Sequence, residues 1–249
     1  YTWVSFVKFE HTLFSLPLLY AGAVIASGAF PDLRTSLWIL GGGTGARTAA
    51  MGLNRIIDRN IDARNLRTEA RELPRGTMNL AEAWGIVAAG LALYLFSCFM
   101  LSPFALSLSP VPLIVFVIYP YMKRFTSLAH FGVGTALALA PLGGFIAVTG
   151  SIADSAAVLW LAAFTFFWVA GFDIIYATLD IEFDRTEGLR SLPVWLGRHT
   201  ALGVSMFTHL LAIGCLVGLF IEDLSGGLAI TGIMVTGVVL AAEHWLAER

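Results

Sequence analysis

Residues 156–184, AAVLWLAAFTFFWVAGFDIIYATLDIEFD, decide the fold. The opening run, 156–179, holds one charged side chain, Asp173. About 20 mostly apolar residues suffice to carry an α-helix across a bilayer core. The run predicts a spanning helix that ends in three acids, Asp180, Glu182 and Asp184. An acid inside an apolar span is expensive in lipid, so Asp173 reads as functional.

The rest of the chain has the same character. Of its 249 residues, 57% are hydrophobic and 13% charged, against about 25% charged in an ordinary soluble domain. A mean hydropathy of +0.79 points to lipid as the solvent and to an all-α fold, because only helices and closed barrels satisfy their backbone there. Apolar runs predict eight spanning segments: 11–30, 36–57, 79–101, 103–121, 128–150, 156–179, 200–221 and 226–246. Pro110 and Pro112 mark the fourth as broken or tilted. The first run is too long for a cleavable signal peptide and lacks a small-residue cleavage pattern. No segment is long and polar enough to form a second domain. The formal net charge of −2 suggests no nucleic-acid partner.

If the segments alternate direction, the basic loop residues fall on one side. Lys8, Arg59, Arg64, Arg67, Arg71, Arg75, Lys123, Arg124, Arg185, Arg190, Arg198 and Arg249 lie there, and Arg34 is the one basic loop residue opposite. The positive-inside rule makes that basic side cytoplasmic. It also carries the long polar connections, 58–78 and 180–199, whereas the opposite connections are short. Cys98 and Cys215 lack metal-ligand spacing and read as core. The histidines, His11, His130, His199, His209 and His244, show no convergent spacing and read as packing or interfacial. Phe164, Phe166, Phe167 and Trp168 read as lipid-facing or core.

Two acidic patterns stand on the cytoplasmic side. In the first, Asn54, Asp58 and Asp62 recur every four residues, on one face if the second segment stays helical, with Arg47 two turns earlier. In the second, Asp180 and Asp184 repeat that spacing, with Asp173 two turns before. Paired carboxylates repel each other, and a divalent cation would relieve the cost. Mg²⁺ takes oxygen ligands, usually one or two carboxylates completed by water and phosphate oxygens. Two such clusters on a helical bundle are suited to clamp a diphosphate, with Arg67, Arg71, Lys123 and Arg124 as candidates to neutralise the remaining charge.

At these residues the sequence resembles the UbiA superfamily of membrane prenyltransferases. Arg47-Thr48-Ala49-Ala50-Met51 leading to Asn54-Arg55-x-x-Asp58-x-x-x-Asp62, then Asn65-x-Arg67-Thr68, resembles the first Asp-rich motif. Asp173-x-x-Tyr176-Ala177-x-x-Asp180-x-x-x-Asp184, with Gly188 and Ser191, resembles the second. Tyr119-x-x-x-Lys123-Arg124-Phe125 resembles the stretch between them. The opening Lys8-Phe9-Glu10-His11-Thr12 is similar to the 4-hydroxybenzoate polyprenyltransferase branch.

The resemblance implies one transmembrane domain over 1–249, with a central cavity open to the cytoplasmic side and to the bilayer. It implies Mg²⁺-dependent transfer of a prenyl group from a polyprenyl diphosphate to an aromatic acceptor, 4-hydroxybenzoate by branch, in ubiquinone or menaquinone biosynthesis. By the same carry-over, Asn54, Asp58 and Asp62 bind one Mg²⁺-diphosphate edge and Asp173, Asp180 and Asp184 the other. Metal ligation falls to Asn54, Asp58, Asp62, Asp180 and Asp184. Arg67 and Lys123 contact diphosphate oxygens, and Arg47 and Tyr119 the acceptor or reacting centre. Two features depart from the family: nine spanning helices are usual there, implying a missing terminal helix, and its Arg-Pro-Leu-Pro reads here Arg71-Glu72-Leu73-Pro74. Dihydroxynaphthoate or a glycerol phosphate ether lipid are alternative acceptors. Intramembrane acids also mark ion-coupled transporters, but here they crowd at one face, which suits a blind cavity better. A non-catalytic lipid-binding protein is the third reading.

Overall fold

The structure, a computed structural model, describes residues 6–7 and 12–249. Lys8, Phe9, Glu10 and His11 of the opening motif lie outside them. Every regular element among the described residues is helical. The chain forms two compact units, residues 1–121 with 140–153 and residues 122–139 with 154–249.

The first unit holds α1 (Thr12–Ser27), α2 (Leu33–Asp62), α3 (Leu80–Leu101), α4 (Pro103–Leu108), α5 (Pro110–Met122, up to residue 121) and the second half of α6 (Ala129–Thr149). Asp32 starts α2. Its carboxylate accepts from the Arg34 and Thr35 amides at 2.9 and 3.2 Å, satisfying donors that an uncapped helix leaves open. With no Pro and no Gly after Gly52, α2 runs 30 residues, about 45 Å, well past the end expected at residue 57. It thereby carries the whole first acidic motif on continuous helix. A reciprocal capping box between Asn79 and Glu82 starts α3.

These two helices touch backbone to backbone. A Cβ on Gly45 would stand 2.6 Å from the Gly90 carbonyl oxygen, and one on Gly90 would stand 2.9 Å from the Ala49 nitrogen. Lipid gives apolar helices no hydrophobic reason to associate, so close van der Waals packing at small residues takes over that role. Ile39 packs with Ala23 and Ala147 in a core joining α2, α1 and α6. The fourth expected segment is broken, since α4 stops at Leu108 and α5 restarts at Pro110. The Tyr94 hydroxyl donates to the Ser109 carbonyl at that joint, at 3.2 Å.

The second unit holds the first half of α6, α7 (Ala156–Ala177), a 3₁₀ turn (Thr178–Asp180), α8 (Ile181–Thr186), α9 (Leu192–Leu196), α10 (Arg198–Glu222) and α11 (Gly227–Ala247). Its core joins Ile174, Leu192 and Ala201, flanked by Phe131, Leu196 and Val204. Helix α10 crosses α7 closely. The Ser205 hydroxyl donates to the Gly171 carbonyl at 2.7 Å, and the His209 ring lies where a side chain at 171 would go. Arg198 donates to the Ala247 carbonyl at 2.8 Å, satisfying the end of α11.

Large apolar side chains point outward, among them Leu228 and Ile221, 91% and 78% exposed, as expected of faces that meet lipid. Among the described residues, six helices are long and apolar enough to cross a membrane. The other two of the eight expected segments are also helical among the described residues. Ser15–Ser27 is apolar but short. Helix α2 is long but carries Gly41-Gly42-Gly43-Thr44-Gly45, Arg47 and Arg55. Both cysteines are buried, as expected.

Candidate active site

In the first unit, Asn54, Asp58 and Asp62 fall on one face of α2, as their spacing requires. Asp58 and Asp62 are 3% and 5% exposed. The Asn54 amide donates to Asp58 Oδ2 at 3.4 Å. The Arg71 guanidinium donates to Asp62 Oδ2 at 2.7 Å. A buried carboxylate without such partners would be costly.

The connection that brings Arg71 back is built on the motif itself. The Thr68 hydroxyl donates to the Asp62 carbonyl at 3.0 Å, and the Arg67 amide to Asn65 Oδ1 at 2.9 Å. Glu72 stands where the resembled pattern has proline. It forms a buried ion pair with Arg55 at 3.2 Å, and its carbonyl accepts from the Thr77 and Met78 amides at 3.0 and 3.2 Å. The departure therefore adds a charge pair to a turn already closed by backbone hydrogen bonds. Farther up α2, Arg47 lies within electrostatic reach of Tyr119. The Arg47 Nε is buried with no hydrogen-bond partner among the described residues.

In the second unit the motif is not one helix. Helix α7 ends at Ala177 and Thr178–Asp180 turn as 3₁₀. A 3₁₀ residue advances about 120° and an α residue about 100°. Three of them turn α8 by roughly 60° from where an unbroken α-helix would put it, so the second motif is not carried by one continuous helix. Asp180 and Asp184 still lie close enough to repel, with Lys123 as an opposing charge and the Ser191 hydroxyl donating to Asp184. The Arg190 amide donates to the Lys123 carbonyl at 2.7 Å, anchoring that lysine's backbone. Asp173 accepts from His130 Nδ1 at 2.7 Å.

The UbiA prenyltransferase family matches residues 15–249. The chain belongs to that family. It is 30% identical over 200 residues to 4-hydroxybenzoate octaprenyltransferase of Shewanella woodyi, covering 78% of this chain and 67% of that protein. Among solved structures, the apo UbiA homolog from Aeropyrum pernix K1 is 36% identical, with a TM-score of 0.90 over 96% of this chain and 88% of that one. The UbiA homolog from Archaeoglobus fulgidus bound to DMAPP and Mg²⁺ is 18% identical and shares the fold, with a TM-score of 0.78 over 99% of this chain and 86% of that one.

This UbiA chain is thus an integral membrane prenyltransferase. Its acidic motifs offer hard oxygen donors of the kind Mg²⁺ prefers. Among the described residues no three His, Cys, Asp or Glu side chains form an all-protein metal cage. The near-buried Asp58 and Asp62 suit a cation that completes its shell from phosphate oxygens and water.

Sequence reasoning misses His130. Its spacing reads as packing, yet it is 3% exposed and bonds Asp173 across 43 residues. No spacing signal links the two. His209 and His244 hydrogen-bond to each other at 2.9 Å, tying α10 to α11, in line with a packing role.

Proposed function

We propose that this enzyme transfers a polyprenyl group from its diphosphate to a ring carbon of 4-hydroxybenzoate or a close aromatic acid, in quinone biosynthesis. The observation that carries this reading is the pair of almost fully buried carboxylates, Asp58 and Asp62, one turn apart on α2. Two buried carboxylates one turn apart favour cationic company, which Arg71 supplies to Asp62 and a bound divalent cation would extend, and the names of the relatives at 30% identity supply the substrate class.

In this reading both acidic motifs are required. Asn54, Asp58 and Asp62 hold one edge of the Mg²⁺-diphosphate, and Asp173, Asp180 and Asp184 the other, with Asp180 and Asp184 as ligands. Bound Mg²⁺ would supply charge stabilisation for the leaving diphosphate. Arg67 and Lys123 bind its remaining oxygens. Arg47, with its unpartnered Nε, suits the acceptor's carboxylate, beside Tyr119. The allylic C–O bond breaks, and its electron pair leaves with the diphosphate. The ring carbon ortho to the phenol oxygen forms the new C–C bond, and a base takes the ring proton. Both units serve as parts of one transferase domain embedded in lipid, with the acidic motifs at the cytoplasmic face of the cell membrane.

The test is purified protein with geranyl diphosphate, 4-hydroxybenzoate and Mg²⁺, products read by mass spectrometry. Prenylated acid is expected, abolished by EDTA and restored by Mg²⁺. Full activity in EDTA overturns the metal role. Product only from dihydroxynaphthoate or a glycerol phosphate ether overturns the acceptor.

A further inference from the structure

His130 sits in the first turn of α6, and both of its ring nitrogens are engaged. The Leu192 amide points at Nε2, 3.2 Å away. A backbone N–H can only donate, so Nε2 is the bare, accepting nitrogen. The proton must then be on Nδ1, which lies 2.7 Å from Asp173 Oδ2 and donates to it. An imidazolium would set N–H against N–H at Leu192. The backbone of one element thus fixes the tautomer that serves the carboxylate of another.

The neighbouring contacts extend the same arrangement. Leu192 follows Ser191, whose hydroxyl donates to Asp184 and whose Oγ accepts from the Val194 amide at 3.4 Å, capping α9. The turn at 191–192 therefore holds Asp184 directly and Asp173 through His130. The Asp173 side chain is 34% exposed with Oδ2 engaged by the ring, which leaves Oδ1 as the oxygen without that bond.

We propose that His130 is a positioning residue for the second acidic motif: clamped by Leu192 as the Nδ1–H tautomer, it holds Asp173 Oδ2 and presents Oδ1 to the prenyl substrate. This rests on the transferase reading above. Packing alone would ask for neither a tautomer nor a carboxylate partner.

Two measurements test it. With ¹⁵N-labelled histidine in detergent-solubilised protein, the His130 ring, assigned by its loss in His130→Gln, is expected to show protonated Nδ1 and bare Nε2. A protonated Nε2 overturns the clamp whether or not the protein turns over. In the prenylation assay, His130→Ala is expected to lower kcat about 10- to 100-fold, with KM for the diphosphate within about threefold. His130→Gln restores most of it, because an amide carries both an N–H donor and a C=O acceptor. The double variant with Asp173→Ala is expected to be no worse than Asp173→Ala alone. Unchanged kcat in His130→Ala, no rescue by Gln, or additive losses overturn the proposal while the wild-type activity stands. If His130→Ala does not fold, His130→Gln against wild type and the ¹⁵N spectrum decide: near-wild-type kcat with bare Nε2 supports it, and an inactive folded Gln variant overturns it. A wild type with no turnover overturns the transferase reading, and the spectrum still reads the clamp.

Discussion

The two acidic motifs have the same i, i+4 spacing and different supports. The first lies on unbroken α2. Its carboxylates are buried, and Asp62 is neutralised by Arg71, nine residues on. The second lies where α7 ends, turns as 3₁₀ and restarts as α8. Its partners, His130, Lys123 and Ser191, come from other elements. Equal spacing in sequence therefore does not mean equal mechanics. The first motif keeps its register through its own helix, and the second through partners from other elements.

That contrast breaks most sharply at the carboxylates themselves. Asp58→Ala and Asp180→Ala are each expected to lower kcat by roughly 10³-fold or more, read by product mass spectrometry, with both proteins still folded by circular dichroism. Substantial activity in either would mean that its motif is not part of the reaction.

A smaller effect sharpens the comparison. Arg71→Ala leaves Asp62 buried without its guanidinium, at a cost of about 1–3 kcal/mol in stability. Thermal unfolding in detergent is expected to show a lowered Tm, partly recovered by Mg²⁺ with a prenyl diphosphate. An unchanged Tm would show that Asp62 has no need of the pair.

The smallest effect lies at the far end of α2. The Thr35 hydroxyl and amide beside Asp32 hold its carboxyl below the ordinary carboxylate pKa. A depressed folded pKa gives stability that is present above the unfolded value, about 3.9, and is lost as pH falls through the folded one. Asp32→Ala is therefore expected to lower Tm slightly at neutral pH and to lose the difference below about pH 4. Kinetics should be unchanged, since the cap lies at the opposite end of α2 from the first motif.

Much of the fold was legible because it is local. Apolar run length places helices, and Pro110 marks the break between α4 and α5. The first motif was legible for the same reason, since its register never leaves α2. The second was legible as residue types but not as geometry. The 3₁₀ turn after Ala177 has no Gly or Pro to announce it, and the extension of α2 to Asp62 depended on the absence of any breaker.

The sequence by itself determined that this chain lives in lipid, that it is helical, and that it bears two acidic motifs of like spacing. These properties come from composition and short-range period, which act within a few turns of helix. Only the tertiary structure decided that Arg71 returns to Asp62, that Glu72 pairs with Arg55, and that His130 holds Asp173. A hydrogen bond between residues 43 positions apart leaves no periodic trace, because what brings the partners together is the packing of whole helices around them.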